Sequence, residues 1–284
     1  MTGARIDEII GKVDSLPRFP GAAHRLMQAI GDENSSIGEI VDIIRYDQSV
    51  TTELLKLCNS AAVGLPRKVT SIDEATRLLG TQKLLRLVLE AHARALLGRQ
   101  QAGYGLPPGA LWTHCVGVAV GADSLARLRE LEHHAVAFTA GLLHDMGKII
   151  LNEYVADAYA EIAAAVARGG TTFVEAEQDV LGITHAEVGA RVAERWELPA
   201  EIVRCIRYHH DPGALDAPDP LVDTVHVADA TCLLVGVGGG DDGQLYRCDA
   251  AVLTRMDLRT ADLEQLGAEI VGQLKTIQDV FGTQ

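Results

Sequence analysis

The chain has 284 residues, a net charge of −14, 48% hydrophobic residues and only 4% aromatic ones. That acidic balance disfavours direct nucleic-acid binding, which needs Lys and Arg to displace phosphate counterions, and no apolar stretch is long enough to predict a membrane span. The N-terminus lacks a signal-peptide apolar region, and the five cysteines contain no CxxC pair. Both features lead us to expect a cytoplasmic protein with reduced, mostly buried thiols.

The elements read as helix after helix, with no sustained period-two alternation, so the expected fold class is all-α. Helices are predicted near 20–30, 37–46, 49–60, 72–79 and 82–97, then 109–128, 133–146, 155–168, 173–181, 185–195, 199–209, 219–236 and 261–281. Capping-box patterns mark four starts: Ser36 with Glu39, Ser71 with Glu74, Thr172 with Glu175, and Thr184 with Glu187. Gly31, Gly80, Gly98 and Gly169-Gly170 mark stops, where glycine accepts a left-handed backbone. The stretch Gln100–Pro108 reads as a connection and Gly236–Gly243 as a second loop. These divide the chain into an N-terminal helical part (1–99), a part with the candidate ligands (100–236), and a loop with a C-terminal helix (237–284). That last helix, Ala261–Phe281, could cover the core or form the seam of a homo-oligomer.

The chemistry-bearing residues are His114, His144, Asp145, His185, His209, His210 and Asp229, with Lys148 nearby. His144-Asp145 follows a nearly all-apolar run, Ala135–Leu143, and burying a carboxylate there requires a partner. Asp229 also lies in an apolar helical run. Metal is one partner; an ion pair between Asp145 and Lys148 is another. Gly147 would let the chain turn or pack closely after the pair. Taken singly, His114 could be a hydrogen-bonded core residue, His185 an exposed first-turn residue, and His209-His210 a solvated cation at a helix C-terminus. Together they supply imidazoles and carboxylates suited to one or two divalent cations, iron or manganese foremost, zinc or nickel next, rather than calcium. Arg67-Lys68 and Lys83/Arg86 could contact a small phosphorylated ligand or be a solvated face.

Several ordered motifs resemble the HDOD family (HD-related output domain) of the HD-domain metal-dependent phosphohydrolase superfamily. They are Leu16-Pro17-Arg18-Phe19-Pro20; Asp47 followed by Leu54–Ala61; Ser71–Gly80; Leu111-Trp112 with His114; and Ala140–Lys148. The resemblance covers roughly residues 8 to 235. It implies a compact multi-helix bundle of HD-domain type with an N-terminal helical subdomain, acting in bacterial signalling through a protein partner. It also implies that His114, His144, Asp145 and Asp229 match the HD ligand signature. His185, His209 and His210 resemble the extra histidines of the HD-GYP branch, the cyclic-di-GMP phosphodiesterases. The Gly-Tyr-Pro motif of that branch is absent, since Asp211-Pro212-Gly213 follows His210. Three functions are carried forward. The first is a metal-binding regulatory module. The second is a metal-dependent phosphohydrolase acting on a nucleotide or cyclic dinucleotide, with Asp145 and Lys148 as its catalytic residues. The third is a metal-free helical scaffold.

Overall fold

The computed structural model describes residues 2–15 and 48–281, apart from 61–62, 66–67, 132–133, 239, 244–245 and 247. The expected helices at 20–30 and 37–46, the Ser36 cap, the Gly31 stop, Arg67, and the motif residues Leu16–Pro20, Asp47 and Ala61 lie outside the described residues. Among the described residues there is no strand, and a lone bridge joins Gln101 to Leu106.

The first half holds α1 (Thr2–Ser15), α2 (Gln48–Cys58), α3 (Ile72–Leu79) and α4 (Thr81–Leu97). The second half holds α5 (Ala110–Leu128), α6 (His134–Leu143), α7 (Lys148–Ala167), α8 (Phe173–Leu181), α9 (His185–Arg195), α10 (Ala200–Tyr208), α11 (Pro220–Leu234), α12 (Ala250–Arg255) and α13 (Thr260–Phe281). Helix α5 is apolar on nearly every side, which suits an interior helix. It packs against α4, α6, α11 and α13. Gly141 lets α6 cross it closely, because a Cβ there would sit 2.9 Å from the Ala119 backbone. Helix α13 covers the core with Leu266, Ile270 and Leu274 buried.

Thr172 and Glu175 form the full reciprocal capping box. Ser71 and Thr184 accept from Glu74 N and Glu187 N as expected. The return halves differ: Glu74 reaches the Thr70 N–H, and Glu187 is drawn to Arg191 and Arg207. Gly80, Gly169 and Gly170 are left-handed in φ, whereas Gly98 stays right-handed at φ −74.

One boundary moves in a way that matters. A helix over 133–146 and another from 155 were expected. In fact α6 stops at Leu143, residues 144–147 turn, and α7 starts at Lys148. No side chain caps α7, so its start carries no sequence signal. Helices α1 and α12 and the 3₁₀ turns were not anticipated either. The connection Gln100–Pro108 is not a surface linker. It contains a 3₁₀ turn, Ala102–Tyr104, with Gly103 and Tyr104 buried, and it packs on α7.

Candidate metal centre

All seven candidate ligands converge from five regions of the second half. His114 projects from α5, His144 and Asp145 from the turn after α6, and His185 opens α9. His209 caps the end of α10, His210 follows it, and Asp229 projects from α11. Ending α6 at Leu143 matters here. Adjacent residues on a continuous helix would diverge by about 100°, and the turn lets His144 and Asp145 face the same centre.

The ligand-type atoms fall into two groups, each with all its atoms within 4.8 Å of one another: Asp145, His185, His209 and His210, and His114, His144 and Asp229. Asp145 stands between them. Its Oδ1 lies 3.3 Å from His185 Nε2 and 3.7 Å from His209 Nε2. Its Oδ2 lies 3.4 Å from His144 Nε2 and 3.6 Å from His114 Nε2. Asp229 Oδ1 lies 3.1 Å from His114 Nε2 and 3.8 Å from His144 Nε2. Most of these separations are too long for strong hydrogen bonds. They match donors sharing a cation, since ligands at about 2.0–2.2 Å from an ion sit roughly 3–3.5 Å from each other.

The backing of each imidazole points the same way. Nδ1 of His114 donates to Val237 O (3.0 Å), that of His144 to Gly141 O (2.7 Å), and that of His209 to Ile206 O (2.8 Å). His185 Nδ1 donates to Glu177 Oε2 at 2.9 Å. Carbonyl and carboxylate oxygens only accept, so each of these rings keeps a proton on Nδ1 and turns Nε2 to the centre, where His185 Nε2 also meets His210 Nε2 at 2.9 Å. His144 Nε2, His209 Nε2, His210 Nδ1, Asp145 Oδ1 and Asp229 Oδ2 are buried and have no hydrogen-bond partner. Each orphan costs about 1–3 kcal/mol. So many in one place fit cations and do not fit an apolar core.

Charge follows burial and neighbours. His209 is fully buried and its pKa falls to about 4, with burial the main cause; His210 falls as well. Full burial of His209 and His185 rules out a solvated imidazolium at the first and an exposed ring at the second, and His210 keeps only 14% of its side chain exposed. Burial also disfavours a charge on His185, but Glu177 and Asp145 outweigh it and lift the pKa to about 9. The Asp145 carboxyl is opposed by burial yet held well below the usual range by Lys148 and His144. Lys148 Nζ lies 2.5 Å from Asp145 Oδ2 and over the Tyr104 ring, so the ion pair and the convergence of ligands coexist. A cation held by His185 would have to displace its proton, so its affinity would rise from pH 6 to about 9 and level off above it, with proton release on binding. Calorimetry in buffers of different ionisation enthalpy checks this. An affinity that does not vary with pH would contradict it.

Sequence reasoning did not find the supporting residues Glu177, Tyr104, Val237 and His226. His226 donates Nδ1 to His209 O (2.7 Å) and accepts from Asp249 N at Nε2 (2.9 Å), which fixes the end of α10. His210 also borders a cavity of about 950 Å³, which Tyr246, Tyr208, Arg207, Glu187 and Thr171 help to line. Of the basic residues that could contact a phosphorylated ligand, Arg86 is paired with Asp123, and Lys68 and Lys83 are exposed.

No described helix is long and apolar enough to cross a membrane. Cys58, Cys115, Cys205 and Cys232 are buried free thiols. A family model described as HDOD domain matches residues 16–212. An uncharacterized protein of Treponema pallidum (strain Nichols) is 29% identical over 234 residues. That alignment takes in 78% of this chain but 43% of the relative, so the chain spans less than half of that protein's length. Among solved structures, an HDOD domain protein of unknown function from Geobacter sulfurreducens is 25% identical with a TM-score of 0.67, covering 94% of this chain and 96% of its own. A candidate phosphohydrolase from Shewanella amazonensis SB2B is also 25% identical with a TM-score of 0.67, covering 96% of each chain.

Proposed function

The chain belongs to the HDOD family, and from that premise we propose that it holds two divalent cations and uses them to hydrolyse a phosphoester. The observation that carries this reading is the cluster of orphaned, buried imidazole and carboxylate atoms beside a cavity. Asp145, His185, His209 and His210 would hold one cation, and His114, His144 and Asp229 the other, with Asp145 shared.

Bound divalent cations of this kind lower the pKa of water and neutralise phosphate oxygens. The protein does the rest. The Nδ1 hydrogen bonds lock the rings, so little reorganisation is needed when a ligand arrives. Lys148 balances the charge of Asp145, with its ammonium buried against the carboxylate. Apolar packing from α5, α6 and α11 excludes bulk water from the far side. His210 and Tyr246 stand where the cavity meets the centre, their rings in an edge contact at 4.9 Å. The cavity's cation, Arg207, is held by Glu187 and Glu194. Glu175 and Asp211 add negative charge to the lining. A single phosphate at the centre with an uncharged remainder in the cavity suits this lining better than a polyphosphate.

The test is turnover of phosphomonoesters, nucleotides and cyclic dinucleotides by protein loaded with manganese or iron. Hydrolysis lost on chelation and restored by the cation is the expected result. Protein that binds the cations stoichiometrically yet turns over none of these substrates would overturn the enzymatic reading. It would leave a regulatory module, acting through a protein partner, in which metal ties the helices together. One observation favours that second reading: His114, His144, Asp145, His185, His209 and Asp229 have side chains at most 3% exposed, and access runs past His210 at 14%.

A further inference from the structure

The two cation positions are backed differently. In the His114, His144 and Asp229 group, both imidazoles lean on backbone carbonyls, Val237 O and Gly141 O. In the other group, His185 leans on the carboxylate of Glu177, which is fully buried. Glu177 Oε2 accepts from both the backbone N–H and Nδ1 of His185 at 2.9 Å, while Oε1 accepts from the Tyr104 hydroxyl at 2.7 Å. Its ion-pair partner is His185 itself. A buried carboxylate needs a compensating charge, and this one passes its charge through the ring toward the centre. A carboxylate behind a ligating imidazole strengthens the ring as a donor more than a neutral carbonyl does.

Resting on the two-cation reading above, we propose that Glu177 is a positioning residue that makes the positions unequal: the one built on His185 holds its cation tightly, and the one built on His114 exchanges. Tyr104 completes the device by fixing the free oxygen of Glu177. The buried 3₁₀ turn that carries Tyr104 thereby acquires a role at the centre.

The test is titration of cation-free protein with manganese, followed by calorimetry at about pH 9, where proton competition at His185 is small, on wild type and Glu177→Gln. The glutamine keeps the shape and an acceptor for His185 but removes the charge. Wild type should show one tight and one weaker equivalent. Glu177→Gln should weaken the tight equivalent by about 10- to 100-fold, the range typical of lost second-shell partners, and leave the weaker one unchanged. Two equal equivalents in wild type, an equal drop in both for the variant, or no drop at all would overturn the inference while leaving a two-cation centre standing. A wild type that binds no cation would overturn both. Should Glu177→Gln not fold, His185→Ala and His114→Ala decide the matter. The first should abolish the tight equivalent and the second the weaker one, and the reverse pattern or an identical pattern in both would contradict the assignment.

Discussion

Asp145→Asn is expected to remove both cations and destabilise the cation-free protein by about 3–5 kcal/mol, the cost of breaking a buried pair. Two features of one side chain produce the two effects. Asp145 stands between the groups, with one oxygen toward His185 and His209 and the other toward His144 and His114. It also neutralises Lys148, which is 4% exposed and 2.5 Å from its Oδ2. The amide keeps the volume but leaves a buried ammonium without its carboxylate. Adding Lys148→Met to Asp145→Asn should restore much of the stability without restoring the cations. Urea denaturation of metal-free protein reads the first quantity and elemental content the second. A single variant that kept both cations would show that Asp145 is not shared.

Gly147→Ala should be nearly as damaging, with a loss above about 3 kcal/mol in the same denaturation assay, the upper range for overpacking. A Cβ on Gly147 would lie 1.9 Å from the His185 carbonyl oxygen and 2.6 Å from Gly189 N. Those are backbone atoms, so no rotamer change relieves the clash. The start of α9 would have to move away from the turn, carrying His185 from Asp145. Gly147 has φ −65, so its value here is close approach and not a left-handed turn. Gly189→Ala should be milder, because its closest neighbour is the side-chain Cγ2 of Ile206 at 2.9 Å. Equal losses from the two glycine variants would contradict the backbone clash as the cause.

Much of this was legible in the sequence because it is local. The apolar periodicity and the Ser71, Thr172 and Thr184 caps placed α3, α8 and α9 almost to the residue. The candidate ligands stood out because imidazoles and acids in apolar runs need partners. What stayed hidden depends on distant contacts. Glu177 reads as an ordinary acid on an amphipathic helix, and nothing local tells that its partner is the first residue of the next helix. Tyr104 sits among glycines and prolines that signal a linker, yet the turn is buried because Gly103 packs against the Asn152 and Ala156 backbone of α7. The glycine-rich loop was legible as a loop. That Val237 supports His114 was not, because 123 residues separate the two. The early start of α7 is hidden for the opposite reason: Gly147 reads locally as a turn after the His-Asp pair, and nothing local tells that this single turn leads straight into the next helix.

Metal content of untagged protein, purified anaerobically without chelator, bears most directly on the centre. Two divalent ions per chain are expected, one for each group of converging side chains. Protein that carries none, and takes up none when titrated with iron, manganese, zinc or nickel, would mean that the buried imidazoles and carboxylates converge for some other reason.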